Sequence, residues 1–141
     1  MALAADPTGA HFGLWQALDL AGAQRVNEPG AIVWNQAISR APERARQFHS
    51  AVFGNRYTPP PPGAADFATV NGDGPGNTIG GIGGMDESFP AEIPAHSDTY
   101  FMVSDAQVAV ARALAGGGTV AVPTLDTPFG RMRAIACGGC G

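Results

Sequence analysis

Asp98 is the side chain in this sequence best suited to moving a proton. Strand alternation puts it on one face with Tyr100 and Met102. A carboxylate set in an apolar cleft favours its neutral form and can work as a general base, here with Tyr100 or His11 as the proton donor. The same rule of alternation joins Trp34 with Gln36, and His11 with Trp15. Aromatic rings and methionine make a flat, adaptable lining for a planar or bulky hydrophobic ligand. Period-two aromatics are equally what a buried core requires, so lining and core stay alternative readings of Trp15, Trp34 and Tyr100. A nucleophilic triad is not indicated, because His96, Ser97 and Asp98 are consecutive and cannot share one strand face.

Other chemistry-bearing patterns are weaker. Cys137-Gly138-Gly139-Cys140 has redox spacing, but it lies in a glycine-rich tail without the strand-to-helix setting that lowers a thiol pKa. Gly72-Asp73-Gly74-Pro75-Gly76 and Gly80-Gly81-Ile82-Gly83-Gly84 lack the lysine and following helix of a phosphate loop. They read as a turn and as a flexible or close-packed strand.

The elements that must position these residues follow from turn chemistry and periodicity. Residues 31–38 form a β-rich run, and residues 39–54 read as a helix. Ser39 can cap it or Pro42 can occupy its first turn, and Gly54 can supply the left-handed residue past its end. Ala45, Phe48, Val52 and Phe53 make its apolar stripe. The proline tract after Tyr57 is an extended loop or sheet edge, since proline lacks the ladder donor. Residues 67–70 and 78–85 read as strands around a glycine-rich turn. The pattern then restarts with a strand at 99–103 and a helix capped by Ser104 or Asp105 that carries Val108, Ala111 and Leu114. Gly116 to Gly118 end that helix, and strands follow at 119–122 and 131–136. A strand-helix-strands unit is thus used twice, the second copy lacking its last strand. A turn-and-strand phrase, Asp6-Pro7-Thr8-Gly9-Ala10-His11-Phe12-Gly13-Leu14-Trp15, stands instead at the N-terminus.

The chain's 141 residues suit one domain, and its net charge of −4 with scattered basic residues argues against non-specific nucleic-acid binding. The apolar runs are shorter than a membrane span, and no basic head with a long apolar run marks a signal peptide, so a cytoplasmic protein is expected. Two cysteines in the tail do not make a disulfide framework.

The ordered elements resemble the glyoxalase, bleomycin-resistance and extradiol-dioxygenase superfamily, also called vicinal oxygen chelate. The residues that carry the resemblance are the strand from Trp34 to Ile38, Phe48-His49-Ser50-Ala51-Val52-Phe53-Gly54, Tyr100-Phe101-Met102-Val103-Ser104-Asp105, Gly116-Gly117-Gly118-Thr119-Val120 and Pro128-Phe129-Gly130-Arg131-Met132. The resemblance implies an α+β fold of paired βαβββ units forming a curved mixed sheet around a cleft. The usual last strand would come from the N-terminus, permuted within the chain or swapped with a partner. Residues 1–17 would be that displaced closing strand, 18–29 a linker, and 30–141 the paired units with a Gly/Cys tail. A truncated or frame-shifted gene is a further reading of the two ends.

Members of this superfamily hold a metal at four positions, which fall here on Trp34, Gly13, Asp98 and the glycine strand. One donor in four does not hold an ion, although His96 and His11 lie close enough in sequence for a shifted site. The resemblance therefore implies a small hydrophobic ligand, no cofactor, and a homodimer, with strand exchange as one route to pairing. The competing expectation is an enzyme, either a cofactor-free isomerase or cyclase using Asp98, or a metal-dependent lyase or dioxygenase.

Overall fold

A computed structural model describes residues 1–19, 22–72, 77–127 and 130–136, with the backbone alone for 121–127, 130–134 and 136. The cysteine pair, the middle of the turn after Gly72 and the Pro128-Phe129 pair lie outside the described residues.

The chain opens with a hairpin of β1 (Ala2–Ala5) and β2 (His11–Leu14). Its turn is built from side-chain chemistry. Asp6 Oδ1 accepts from Thr8 N at 2.8 Å, Thr8 Oγ1 at 2.6 Å and Ala10 N at 3.1 Å, while Gly9 supplies a φ of 96°. These bonds fold the turn locally and enclose the Asp6 carboxylate completely.

The first full unit follows as β3 (Ile32–Ser39), α1 (Pro42–Phe53), β4 (Arg56–Thr58), β5 (Phe67–Asn71) and β6 (Thr78–Gly84). Proline opens α1, and Gly54 closes it in the left-handed conformation with its N–H on Ser50 O. Ser39 does not cap the helix; its hydroxyl accepts from Ala41 N just before it. The proline tract leaves only the three-residue edge strand β4, as the missing donors require. The strands order as β4-β5-β6-β3, with β3 parallel to β6 and the other pairs antiparallel. Ala45 of α1 packs on Val70 and Ile82, with Ala37 and Tyr57 beside them. That contact fixes which sheet face is covered and leaves Trp34, Gln36 and Phe67 on the other.

The second unit begins with β7 (His96–Phe101), three residues earlier than periodicity alone places it. Then come α2 (Ala106–Ala115), β8 (Thr119–Thr127) and β9 (Gly130–Ala136). Asp105 caps α2 by accepting from Gln107 N and Val108 N. β8 and β9 form an antiparallel pair, against which α2 packs. The units join where β7 runs antiparallel to β3, with Trp34 opposite Tyr100, Gln36 opposite Asp98 and Ile38 opposite His96. The result is tandem βαβββ-type units around a mixed, curved, unclosed five-stranded sheet, β4-β5-β6-β3-β7, with β8–β9 as a separate pair.

The N-terminal hairpin lies against this sheet in the same chain. Ser97 Oγ donates to His11 O at 2.8 Å, and Phe12 packs among Phe48, His49 and Phe53 of α1. No ladder joins β2 to β7 among the described residues. No helix among them is long and apolar enough to cross a membrane.

Candidate functional site

The antiparallel register of β3 and β7 decides which side chains meet. Residues directly opposite on one face sit close enough to interact, and here they make a hydrogen-bonded chain. Trp34 Nε1 donates to Gln36 Oε1 at 3.2 Å. Gln36 Nε2 donates in turn to Asp98 Oδ2 at 3.2 Å and to Tyr100 Oη at 3.0 Å. Indole can only donate, so the Gln36 amide has its oxygen toward Trp34 and its nitrogen toward β7.

Two further residues extend this face. His96 Nδ1 donates to Pro94 O at 2.8 Å, which leaves Nε2 facing Asp98 Oδ2 at 3.7 Å. Phe67 stacks beside Trp34, ring centroids 6.4 Å apart and planes 26° from parallel. The glycines of β6 make room for it. A Cβ on Gly81 would stand 2.2 Å from Phe67 Cζ and 3.2 Å from Trp34 Cζ2, and one on Gly83 would stand 2.6 Å from Phe67 Cδ2. The glycine-rich strand is therefore a floor under an aromatic wall.

Burial pushes the Tyr100 phenol above its ordinary pKa, and the Asp98 charge pushes it further, against the Gln36 hydrogen bond. The phenol keeps its proton at neutral pH. The Asp98 side chain is 30% exposed, so water reaches the carboxylate.

The other expected residues are placed differently. Met102 closes the strand pair through its backbone, its N–H on Ala31 O and its carbonyl on Gly30 N, both at 2.9 Å. His11 enters through its carbonyl, which Ser97 occupies. Trp15 is 53% exposed, just past the end of β2. Phe67 and His96 complete the face, although residue type alone singled out neither as a ligand contact. Phe67 joins the face because β5 lies against β6, whose Gly81 and Gly83 leave the space its ring fills.

The donors do not fit a metal. Trp34 and the β6 glycines offer no ligand atoms there, and Asp98 with His96 makes only a pair. Among the described residues no three His, Cys, Asp or Glu side chains converge. A separate concavity of about 680 Å³ opens on the helix-covered side, where Arg46, Ser50, Tyr57 and Pro59 contribute to its lining. The Arg46 guanidinium within it is already held by Asp66 at 2.9 Å and Glu43 at 3.0 Å. Without a stacked aromatic pair or an uncommitted charge, it is the weaker candidate despite its volume.

No protein-family model matches the chain. A protein named "Putative glyoxylase CFP32", from Mycobacterium bovis and from Mycobacterium tuberculosis, is 36% identical over 137 residues, covering 96% of this chain and 51% of the relative. The chain belongs to the vicinal oxygen chelate superfamily. The chain is also similar to the anthracycline biosynthesis protein DnrV of Streptomyces peucetius, 31% identical over 135 residues, with 93% of this chain and 46% of the relative covered. The anthracycline biosynthesis protein DauV of a Streptomyces species is 28% identical over 131 residues. The chain spans about half the length of the curated relatives it matches.

Proposed function

We propose that this vicinal oxygen chelate chain binds a small, flat, hydrophobic molecule without metal, on the face of β3, β6 and β7. The observation that carries the reading is the Trp34–Phe67 wall beside the polar group of Gln36, Asp98 and Tyr100, on a face that α1 leaves uncovered. Two relatives carry names that refer to anthracycline biosynthesis. A planar ring system can stack on an aromatic surface of this kind. Residues 30–141 act in this proposal as one ligand-binding domain, with 1–17 as its closing segment and 18–29 as the linker. We place it in a cytoplasmic homodimer.

The test is thermal melting of the 141-residue chain with flavone as a planar probe, alongside elemental mass spectrometry of protein purified without chelator. A ligand at a hundred times its Kd stabilises the fold by about 2.7 kcal/mol. A raised Tm, lost in Trp34→Leu, and substoichiometric metal are expected. A stoichiometric metal or an unmoved Tm overturns the reading.

A second reading is cofactor-free acid–base catalysis. It draws on Asp98 lying beside a protonated phenol and within 3.7 Å of His96. Turnover that disappears in Asp98→Asn with the fold intact would favour it over simple binding.

A further inference from the structure

The hydrogen-bond directions in the Gln36 group determine what remains for a ligand. Gln36 Oε1 is committed to the Trp34 indole and Nε2 is shared between β7 side chains. At Tyr100 the phenol oxygen is therefore the acceptor, and its own proton is not spent on Gln36. Asp98 is an acceptor, and its Oδ2 takes the second Gln36 bond while Oδ1 takes none within this group. A donor and an acceptor thus stand side by side, fixed to one amide nitrogen at 3.0 and 3.2 Å.

From this polarity we infer that the ligand is a planar ring system bearing a keto oxygen next to a hydroxyl. The ketone accepts from Tyr100 Oη, the hydroxyl donates to Asp98, and the ring plane rests on Trp34 and Phe67. This rests on the proposed binding face and adds the chemical class it selects. A ligand with only acceptors would take water from Asp98 Oδ1 without giving it a donor, and one with only donors would waste the phenol proton. Gln36 acts as a positioning residue, because it sets the direction of both bonds without touching the ligand. His96 faces Asp98 from the same strand, its Nε2 3.7 Å from Oδ2, the carboxylate oxygen that Gln36 also holds.

The experiment compares 3-hydroxyflavone with flavone, which has the same plane and ketone but no hydroxyl. Both are titrated into the chain in a Trp15→Phe background, so that Trp34 alone reports by quenching; the chain has two tryptophans. 3-Hydroxyflavone adds its own readout. Its two emission bands change ratio when the hydroxyl leaves the internal bond to the ketone for an external acceptor.

Tighter binding of 3-hydroxyflavone by roughly tenfold is expected, since a hydrogen bond to a charged group is worth at least that factor. Asp98→Ala should erase the difference and restore the internal-bond emission. Tyr100→Phe should weaken both flavones alike. Should Asp98→Ala fail to fold, Asp98→Asn tests the same bond with a neutral acceptor.

Equal binding of the two flavones, unmoved by these variants, overturns the donor–acceptor inference and leaves the planar binding face standing. Quenching by neither flavone, with no change in Tm, removes the binding face itself.

Discussion

Gln36 Nε2 reaches the phenol oxygen of Tyr100 at 3.0 Å across 64 positions of sequence, and it does so only because β3 and β7 are neighbours in one sheet. Removing this amide separates its structural from its electrostatic role. Gln36→Leu keeps the approximate volume but leaves Trp34 Nε1, Asp98 and Tyr100 without their common partner. The half-buried position predicts a loss of about 1–2 kcal/mol in denaturant unfolding. A loss below the error of the measurement would mean that water replaces the amide fully.

Tyr100 provides a pH test with a defined sign. Its phenol is raised first by burial and then by Asp98, and lowered by Gln36. Asp98→Asn should therefore bring its titration back toward the ordinary value of about 10, and Gln36→Leu should take it higher. Tyrosinate absorbance measures this directly. Tyr57, also raised by burial, is the other tyrosine, so the titration is read in a Tyr57→Phe background. Because the folded state holds these protons more tightly, the stability they contribute is complete below about pH 10 and disappears as pH rises through the folded values. Stability rising across that range would contradict the assignment.

Asp6 joins two tasks that substitution can divide. Its Oδ1 builds the hairpin turn, while its Oδ2 faces His49 Nε2 at 3.5 Å. Asp6→Asn retains an oxygen for the turn and gives up the charge toward His49. Asp6→Ala loses both and leaves buried donors unmet, at about 1–3 kcal/mol. The expected order of stability is wild type, Asp6→Asn, Asp6→Ala, with early proteolysis within residues 1–19 in the last. Equal loss in both variants would assign the whole effect to the charge.

The β6 glycines differ in what an added methyl would strike. At Gly80 a Cβ would come 2.8 Å from the Asn35 backbone oxygen, which the sheet holds in place. At Gly81 the obstacle is the Phe67 ring, which can rotate away. Gly80→Ala is expected to cost more stability, of the order of the 1–3 kcal/mol typical of overpacking. Gly81→Ala is expected to cost less, while moving Phe67 off Trp34 and changing the tryptophan emission. Similar melting and emission in the two variants would show that the strand accommodates both.

The features most legible in the sequence are those written in local chemistry. Asp6, Thr8 and Gly9 specify their turn through bonds spanning two to four residues. Pro42 and Gly54 likewise mark the ends of α1 through their own backbone preferences. Alternation also assigned Trp34 with Gln36 and Asp98 with Tyr100 to common faces. Which faces meet was not legible, because a pairing register between strands 62 positions apart leaves no local mark. For the same reason the start of β7 at His96 was hidden, since its first residues gain strand geometry from pairing with β3 rather than from their own propensity. Phe67 is seen as a site residue only once β5 lies against the glycines of β6.

The β3–β7 seam makes the proposed binding face a gauge of assembly. Trp34 and Gln36 come from one unit and Asp98 and Tyr100 from the other, so neither half owns a complete recognition surface. A slip of one residue along this seam would turn Asp98 and Tyr100 to the opposite side and dismantle the surface. A molecule that grips both strands would consequently act as a rivet, favouring the correct register over its neighbours by RT ln(1 + L/Kd), where L is its free concentration, an advantage that grows as L rises.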